Sequence, residues 1–400
     1  MLAKSSDVPA DQTGRVGPVD ALRCFAMTAV VAQHCGLMPF GWTGVWLFFV
    51  ISGFVVTLSV IERPANRPPM ERLRSFYRRR ALRIIPVYYA YVGVGLLLAL
   101  LSGTHPDFVD VLSLFGFFHN IAMGLGRGTL SEWPVGHLWT ISVEMQFYLV
   151  YGVVLVLASK RIVILLLFAA LVAATPLRFA AATEVASLHL DSEVSAYRIY
   201  SGSFLHTDSF AMGALLAFAQ RYGLLHRLAR PLACAGAAAM LAYAATYTWL
   251  NYSVVHAQGI AIVRNVVSGI LWGQYREVFL YTALAIASGG LVALAATGDR
   301  SLSWLLRPLL FHRIGEISYG AYIFHALAIN AAAFILGHIG VLPARSLAER
   351  LVFFVLSYTV TVTIAHLSFW HFERRIAGGR KHRPADNGLL DVPTREGEAA

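Results

Sequence analysis

Residues 44–61 read GVWLFFVISGFVVTLSVI, an uninterrupted run without a single charge. Large apolar side chains fall on every face of it, so a helix formed here has no polar side to offer to water. Such a helix is either the core of a large soluble protein or a membrane span, and at 1.5 Å per residue this one rises about 27 Å, close to the ~30 Å hydrocarbon core of a bilayer. Composition decides between the two. Of 400 residues, 57% are hydrophobic and only 14% charged, whereas a water-soluble chain has an apolar share of roughly 45–50%. An all-α integral membrane protein is expected.

Working outward from this run, comparable stretches place about ten transmembrane helices, near 20–38, 44–61, 84–102, 137–158, 162–180, 201–220, 231–250, 278–297, 314–337 and 350–371. Residues 1–19 are polar and contain Pro and Gly without the basic, apolar, small-residue order of a signal peptide, which predicts a retained cytoplasmic N-terminal segment. Residues 20–372 form the membrane domain, and 373–400 read as a basic, disordered cytoplasmic tail that meets anionic lipid. Cys24, Cys35 and Cys234 lie in apolar runs and are odd in number, which argues against a disulfide framework.

The net charge of +10 could suggest a nucleic-acid partner, but in a membrane chain the distribution of Lys and Arg matters more. With the N-terminus inside, 25 of the 32 fall on cytoplasmic segments and helix ends. Only Arg127, Arg178, Arg198, Arg264, Arg276, Arg345 and Arg350 fall outside. This asymmetry predicts both termini in the cytoplasm and leaves no reason to invoke nucleic acid. The stretch 108–125, FVDVLSLFGFFHNIAMGL, is apolar but broken by Asp110, His119 and Asn120. If it crossed, everything downstream would invert, so it is expected to be an interfacial or re-entrant helix on the outer side.

Polar groups at membrane depth are expensive and mark function or pairing. Arg23 and His34 lie 11 residues apart on the first span, hence on one face and roughly 16 Å apart along the axis. Singly, Arg23 reads equally well as a snorkelling anchor and His34 as a packing histidine; together on one face they favour function. In GHLWTISVEMQFYLVYG, residues His137, Ile141, Glu144 and Tyr148 form one stripe, where a carboxylate could orient a histidine for general-base work on an alcohol. In GEISYGAYIFHALAI, Ser318, Tyr322 and His325 share a face, with His325 the residue of chief interest. His206 and Asp208 precede a small-residue run, where a structural ion pair and a functional carboxylate are comparable readings.

The loop 62–83 holds eight arginines. Most serve topology, yet Arg79, Arg80 and Arg83 stand at helical spacing before Pro86 and could clamp the phosphates of an anionic cosubstrate. There is no Gly-rich phosphate loop, no HExxH or CxxC metal spacing and no GxSxG elbow, so no metal and no bound cofactor are expected.

These blocks together resemble the acyltransferase 3 family of polytopic membrane O-acyltransferases. VDALRCFAMTAVVAQH with GVWLFFVISGFVV is similar to the family's opening, including its Arg, ten residues, His signature at Arg23 and His34. FYRRRALRIIPVYY, GHLWTISVEMQFY and GEISYGAYIFH are similar to its later blocks, in order across residues 19–325, and WHFERR resembles its closing segment. The resemblance implies transfer of an acyl group, usually acetyl, from cytoplasmic acyl-CoA (acetyl-CoA as cosubstrate) to a hydroxyl of a glycan or lipid-linked saccharide at the outer side of the bacterial inner membrane. O-antigen, exopolysaccharide, peptidoglycan sugars, lipo-oligosaccharides and some macrolides are acceptors in this family. In that scheme Arg23, Arg79, Arg80 and Arg83 bind acyl-CoA. His34, oriented by Glu144 directly or through a neighbour, deprotonates the acceptor, with His137 beside it. Asp208, Ser318, Tyr322 and His325 complete the polar candidates, and self-association is left open.

The chain departs from the family pattern at Trp46, where an acidic residue is usual, and at Thr140, Met145, Phe324 and Ala326. Trp46 puts in question any contact made through that carboxylate and points to a different acceptor. With about 28 residues after position 372, the hydrolase-like domain that some relatives append is expected to be absent. A transporter of an anionic or glycan substrate is the rival from another class, although no matching pair of broken helices is visible in two halves. A non-catalytic assembly or sensor protein of a polysaccharide system is a second rival, opposed by the intact Arg23, His34, Glu144 and arginine block.

Overall fold

The computed structural model describes residues 17–63, 66–267, 270, 272–338 and 346–376. Most of the N-terminal segment and the tail beyond Ile376 therefore lie outside the described residues. The elements are α1 (Gly17–His34), α2 (Gly44–Ile61), α3 (Pro69–Leu101), α4 (Phe108–Phe115), α5 (His119–Gly124), α6 (Trp139–Leu157), α7 (Lys160–Ser187), α8 (Ser192–Tyr200), α9 (Thr207–Arg221), α10 (Leu225–Ser253), α11 (Ile260–Val267), α12 (Arg276–Ala296), α13 (Arg300–Leu306), α14 (Leu309–Glu316), α15 (Ser318–His338) and α16 (Leu347–Ser368). A π-helical turn, Phe369–Glu373, follows α16. The all-α membrane class is borne out: eight helices among the described residues are long and apolar enough to cross a bilayer.

The remaining two of the ten expected spans fall on α1 and α9, which are not in that set. For α9 the reason is position. The 15-residue α9 rises only about 22 Å, and it is covered by α2, α7 and α12 rather than by lipid, so it needs neither the length nor the hydropathy of a lipid-facing helix. Burial grades the others the same way: 78% of the α2 window is buried and 17% of the α10 window. The central helices are apolar all round, while α3, α7, α10 and α16 turn apolar side chains such as Leu97, Leu165, Leu241 and Val355 outward.

Two features differ in detail from expectation. The third span is the distal part of one 33-residue helix that begins at Pro69 and continues through Pro86, so much of the arginine-rich stretch is itself helical and continuous with the span. The segment 108–125 is two short helices, α4 and α5, broken at Phe117, whose φ of 57° is left-handed. Neither is long enough to cross. The pair is tied down by the tyrosines of the VYY block, Tyr88 donating to Leu114 O (2.9 Å) and Tyr89 to Phe115 O (2.7 Å), and by Gln146 donating to Asn120 Oδ1 (2.9 Å).

A two-glycine seam joins α2 and α9. A Cβ at Gly213 would lie 1.9 Å from Val50 O, and one at Gly53 would lie 2.1 Å from Phe210 O. Only glycine at both positions lets the two backbones touch. Gly213→Ala is accordingly expected to separate the helices and to lower the thermal midpoint of the detergent-purified protein, an overpacking loss of about 1–3 kcal/mol or more. Gly93→Ala on α3, where a Cβ meets nothing within 4 Å, is the control and should leave the midpoint unchanged; equal stability of the two variants would refute the seam.

Candidate active site

The stripe of α2 opposite its glycine seam looks into a cavity of about 80 Å³. Val45, Phe48, Phe49, Ser52, Val55 and Val56 line it from α2, Arg80, Arg83 and Ile84 from α3, Thr140, Ile141, Glu144 and Tyr148 from α6, Ser318, Tyr319 and Tyr322 from α15, and Arg23 from α1. The residues come from five helices because each presents one stripe, at helical spacing, to the same space.

Charge is distributed unevenly along it. Arg23 is ion-paired with Asp20 (2.6 Å). The Arg80 guanidinium carbon lies 5.9 Å from the centre of the Tyr148 ring, and its Nη2 donates to Ser59 Oγ at 3.4 Å. Arg83 makes no hydrogen bond or ion pair among the described residues and is the cation with most freedom to take a ligand. Glu144 accepts from Ser52 Oγ (2.6 Å) and from the Tyr148 hydroxyl. Toward the far end, Thr140 Oγ1 donates to the Tyr322 hydroxyl (2.9 Å), which itself donates to His137 O (3.2 Å).

Behind Tyr322 stand three imidazoles. The His34 and His325 ring centroids are 5.4 Å apart, and those of His325 and His137 are 4.8 Å apart. Tyr322 touches both His137 (5.7 Å) and His325 (5.3 Å). The residues therefore form a sequence in space: three arginines, a carboxylate with two hydroxyls, a tyrosine, then histidines. The outline matches the spacing read from α1, Arg23 at one end and His34 at the other.

The details differ from the sequence reading in three places. Glu144 bonds Ser52 and Tyr148, and no hydrogen bond joins it to a histidine among the described residues. His137 and Glu144 share a stripe, but two helical turns separate them by about 10 Å, and His137 sits in the 3₁₀ turn before α6, aimed at Ile323 O (3.0 Å). Arg79 hydrogen-bonds Ser75 and does not line the cavity, lying one residue step round the helix from Arg80. Asp208 lies elsewhere, in a buried ion pair with Arg178 at 2.7 Å. Arg178 also donates to Thr282 Oγ1 (2.6 Å) and to Leu205 O, so this cation, assigned from sequence to an outer segment, braces α7, α9 and α12 from within.

Two contributors were passed over in the sequence. Ser52 is one of the few hydroxyls in an otherwise apolar span, a signal that was available. Arg178 carried the same signal within the apolar run of α7. Trp46, standing where an acid is usual, is fully buried and stacks on Tyr281 (4.7 Å, 20°), with Trp42 and His206 edge-on at 5.1 Å each. That position is an aromatic packing site in this chain.

Bundle and cavity define the class: a polytopic membrane protein that encloses its polar chemistry among its helices. The chain matches the acyltransferase domain of the acyltransferase 3 family over residues 18–370 and belongs to that family, as the motif blocks implied. It is 25% identical to the peptidoglycan O-acetyltransferase OatA of Listeria monocytogenes over 384 residues, 90% of this chain and 56% of that protein. It is 26% identical to the putative membrane-bound transacylase BcsY of Komagataeibacter xylinus, covering 86% of this chain and 81% of the relative. With the putative peptidoglycan O-acetyltransferase YrhL of Bacillus subtilis the identity is 24%, over 90% of this chain and 54% of the relative. The chain thus spans about half the length of OatA and of YrhL. No solved structure matches it.

The Arg178 and Asp208 pair yields a test that separates bracing from catalysis. Asp208→Asn leaves a buried guanidinium uncompensated and is expected to lower stability by about 3–5 kcal/mol, while the double replacement Arg178→Met with Asp208→Leu recovers most of that loss. Thermal melts of the purified variants check it. A stable Asp208→Asn protein without function would instead put Asp208 in the chemistry.

Proposed function

We propose that this chain is an O-acyltransferase that takes acyl-CoA, acetyl-CoA foremost, from the cytoplasm and delivers the acyl group to a hydroxyl of a glycan or glycolipid on the outer face of a bacterial inner membrane. The observation that carries the reading is the cavity's polarity: Arg23, Arg80 and Arg83 line one end and Tyr322 the other, with the rings of His137 and His325 packed behind Tyr322 and His34 against His325. Acyl-CoA is a long, thin molecule with several phosphates at one end and a thioester at the other. Guanidinium groups are the side chains best shaped to hold phosphate in bidentate fashion. The roughly 16 Å of helix α1 between Arg23 and His34 separates a site for the charged head from a site for the thioester.

His34 is the exposed member of the histidine group and ends its helix, so it is the base to which an acceptor from the opposite side has access. It takes the hydroxyl proton as the oxygen attacks the thioester carbonyl. Glu144, with Ser52 and Tyr148, acts on the donor side of the cavity. A glycan acceptor is favoured by two relatives that carry the name peptidoglycan O-acetyltransferase. A transporter finds less support, because the chain's relatives include a putative transacylase and histidines suited to general-base work stand behind the cavity's Tyr322.

The expected outcome in the native host is loss of an O-acetyl signal from surface glycans, by mass spectrometry and proton NMR, when His34→Ala replaces wild type at equal membrane level. In purified protein, Arg80→Ala with Arg83→Ala should raise KM for acetyl-CoA by about tenfold or more with a smaller effect on kcat. His34→Ala should lower kcat by about 10²–10⁴. Unchanged acetyl-CoA binding in the double arginine variant would sink the clamp, and unchanged glycans with well-expressed His34→Ala would sink the acceptor class.

A further inference from the structure

A histidine that removes a proton from an alcohol ordinarily has a partner behind it, which fixes which nitrogen carries hydrogen and stabilises the imidazolium. In this site the obvious partner is occupied, since Glu144 is bonded to Ser52 and Tyr148. The groups that face the end of α1 are His325 from α15, His137 from the turn before α6, and Arg350 from α16, whose guanidinium donates to Gly36 O at 3.0 Å. No carboxylate hydrogen-bonds His34 among the described residues.

His325 is fully buried, and its Nδ1 lies 2.6 Å from Tyr322 O. A carbonyl only accepts, so the proton sits on Nδ1 and Nε2 holds a lone pair. That Nε2 is buried and has no hydrogen-bond partner. His137 is fixed in the opposite sense: its Nε2 donates to Ile323 O, and its Nδ1 is likewise buried without a partner. Buried polar atoms are almost always satisfied, and those that are not call for an explanation in function. Of the two, His325 is the one in ring contact with His34.

Resting on the acyl-transfer reading above, the geometry points to His325 as the positioning residue of His34, its Nε2 accepting an N–H from His34 and so aiming the other nitrogen of His34 at the acceptor hydroxyl. The step balances. The hydroxyl O–H bond breaks and its proton goes to His34, while the oxygen pair forms the new C–O bond to the acyl carbon. The C–S bond then breaks with its pair on sulfur, and the proton passes from His34 to that sulfur to release the free thiol. His325 stays neutral, its Nδ1–H held on Tyr322 O. Tyr322 couples this arrangement to the donor, because its side chain lines the acyl-CoA cavity while its carbonyl sets the tautomer of His325.

The test uses the full chain in lipid nanodiscs, with His325→Met and His325→Gln. The first readout needs no substrate: modification of His34 by diethyl pyrocarbonate, followed by peptide mass spectrometry across pH. Met offers no acceptor to the imidazolium, so His34 should become neutral and reactive at a pH lower by about one unit or more, whereas Gln, which keeps an acceptor oxygen, should hold the wild-type midpoint. The second readout is thiol release from acetyl-CoA with chitotriose as surrogate acceptor. His325→Met is expected to lose about 100-fold in kcat with KM for acetyl-CoA little changed, and His325→Gln to recover much of that loss. Should the Met variant not fold, His325→Asn, too short to reach His34, takes its place. An unmoved midpoint, or a Gln variant as impaired as the Met variant, overturns the positioning role even if wild type transfers acyl groups. A shifted midpoint in a protein that transfers nothing leaves the pairing in place and overturns the acyl-transfer reading instead.

Discussion

A charge within hydrocarbon has no water to fall back on, so the protein itself must supply its counter-charge, its hydrogen bonds or a wet cavity. That constraint organises the interior of this bundle. Arg178 meets it by closure: Asp208, Thr282 Oγ1 and Leu205 O surround the guanidinium, and the result ties three helices together. Arg83 meets it in the other way, by facing the cavity. The same residue type, within helices of the same bundle, is spent on architecture in one place and left free for a ligand in the other. What distinguishes them is a hydrogen-bonded counter-charge, which no composition rule reveals.

The cavity exists because of what happens on its far side. Gly53 and Gly213 let α2 and α9 meet backbone to backbone. Dispersion attraction between the two touching backbones holds the most apolar helix in the centre of the bundle without a bulky side chain on that seam. The opposite stripe of α2 is thereby free to be lined by α3, α6 and α15, and it carries the hydroxyl of Ser52 at the level of Glu144. Packing and chemistry are two faces of one helix, so a change at the glycine seam reaches the site through α2 as a rigid element.

Much of this was legible in the sequence, and the boundary of what was legible is physical. Spans, the family blocks and the Arg23 to His34 register follow from hydropathy and from helical geometry, which are local properties. The convergence of Arg23, Arg80, Arg83, Glu144, Ser318 and Tyr322 on one cavity agrees with reading each as the polar exception on its helix. Partnerships were not legible, because they depend on rotation between helices far apart in sequence. A stripe common to His137 and Glu144 says only that they point the same way, not that they reach each other, and Arg79 differs from Arg80 by one step round α3. For α9 the difficulty was different: a helix shielded by protein need not satisfy the length and hydropathy that lipid demands, so its apolar run is a poor guide to whether it spans.

In the proposed acyl transfer, a neutral imidazole behind His34 follows from the same constraint on charge. A carboxylate behind His34 would be an unpaired anion whenever the site is empty, and burying such a charge carries a large desolvation penalty. An imidazole whose N–H is already held by a backbone carbonyl is neutral at rest and still offers one lone pair. It stabilises positive charge only when the proton arrives, so the stabilisation is specific to the reacting state and not to the empty one. The carbonyls of Tyr322 and Ile323 make this possible by fixing the two tautomers in advance. The carboxylate that the site does contain, Glu144, is placed where two hydroxyls keep it satisfied throughout. On the proposed pairing, the site separates a carboxylate held by two hydroxyls from a base held by a neutral acceptor, an arrangement suited to chemistry performed inside a membrane.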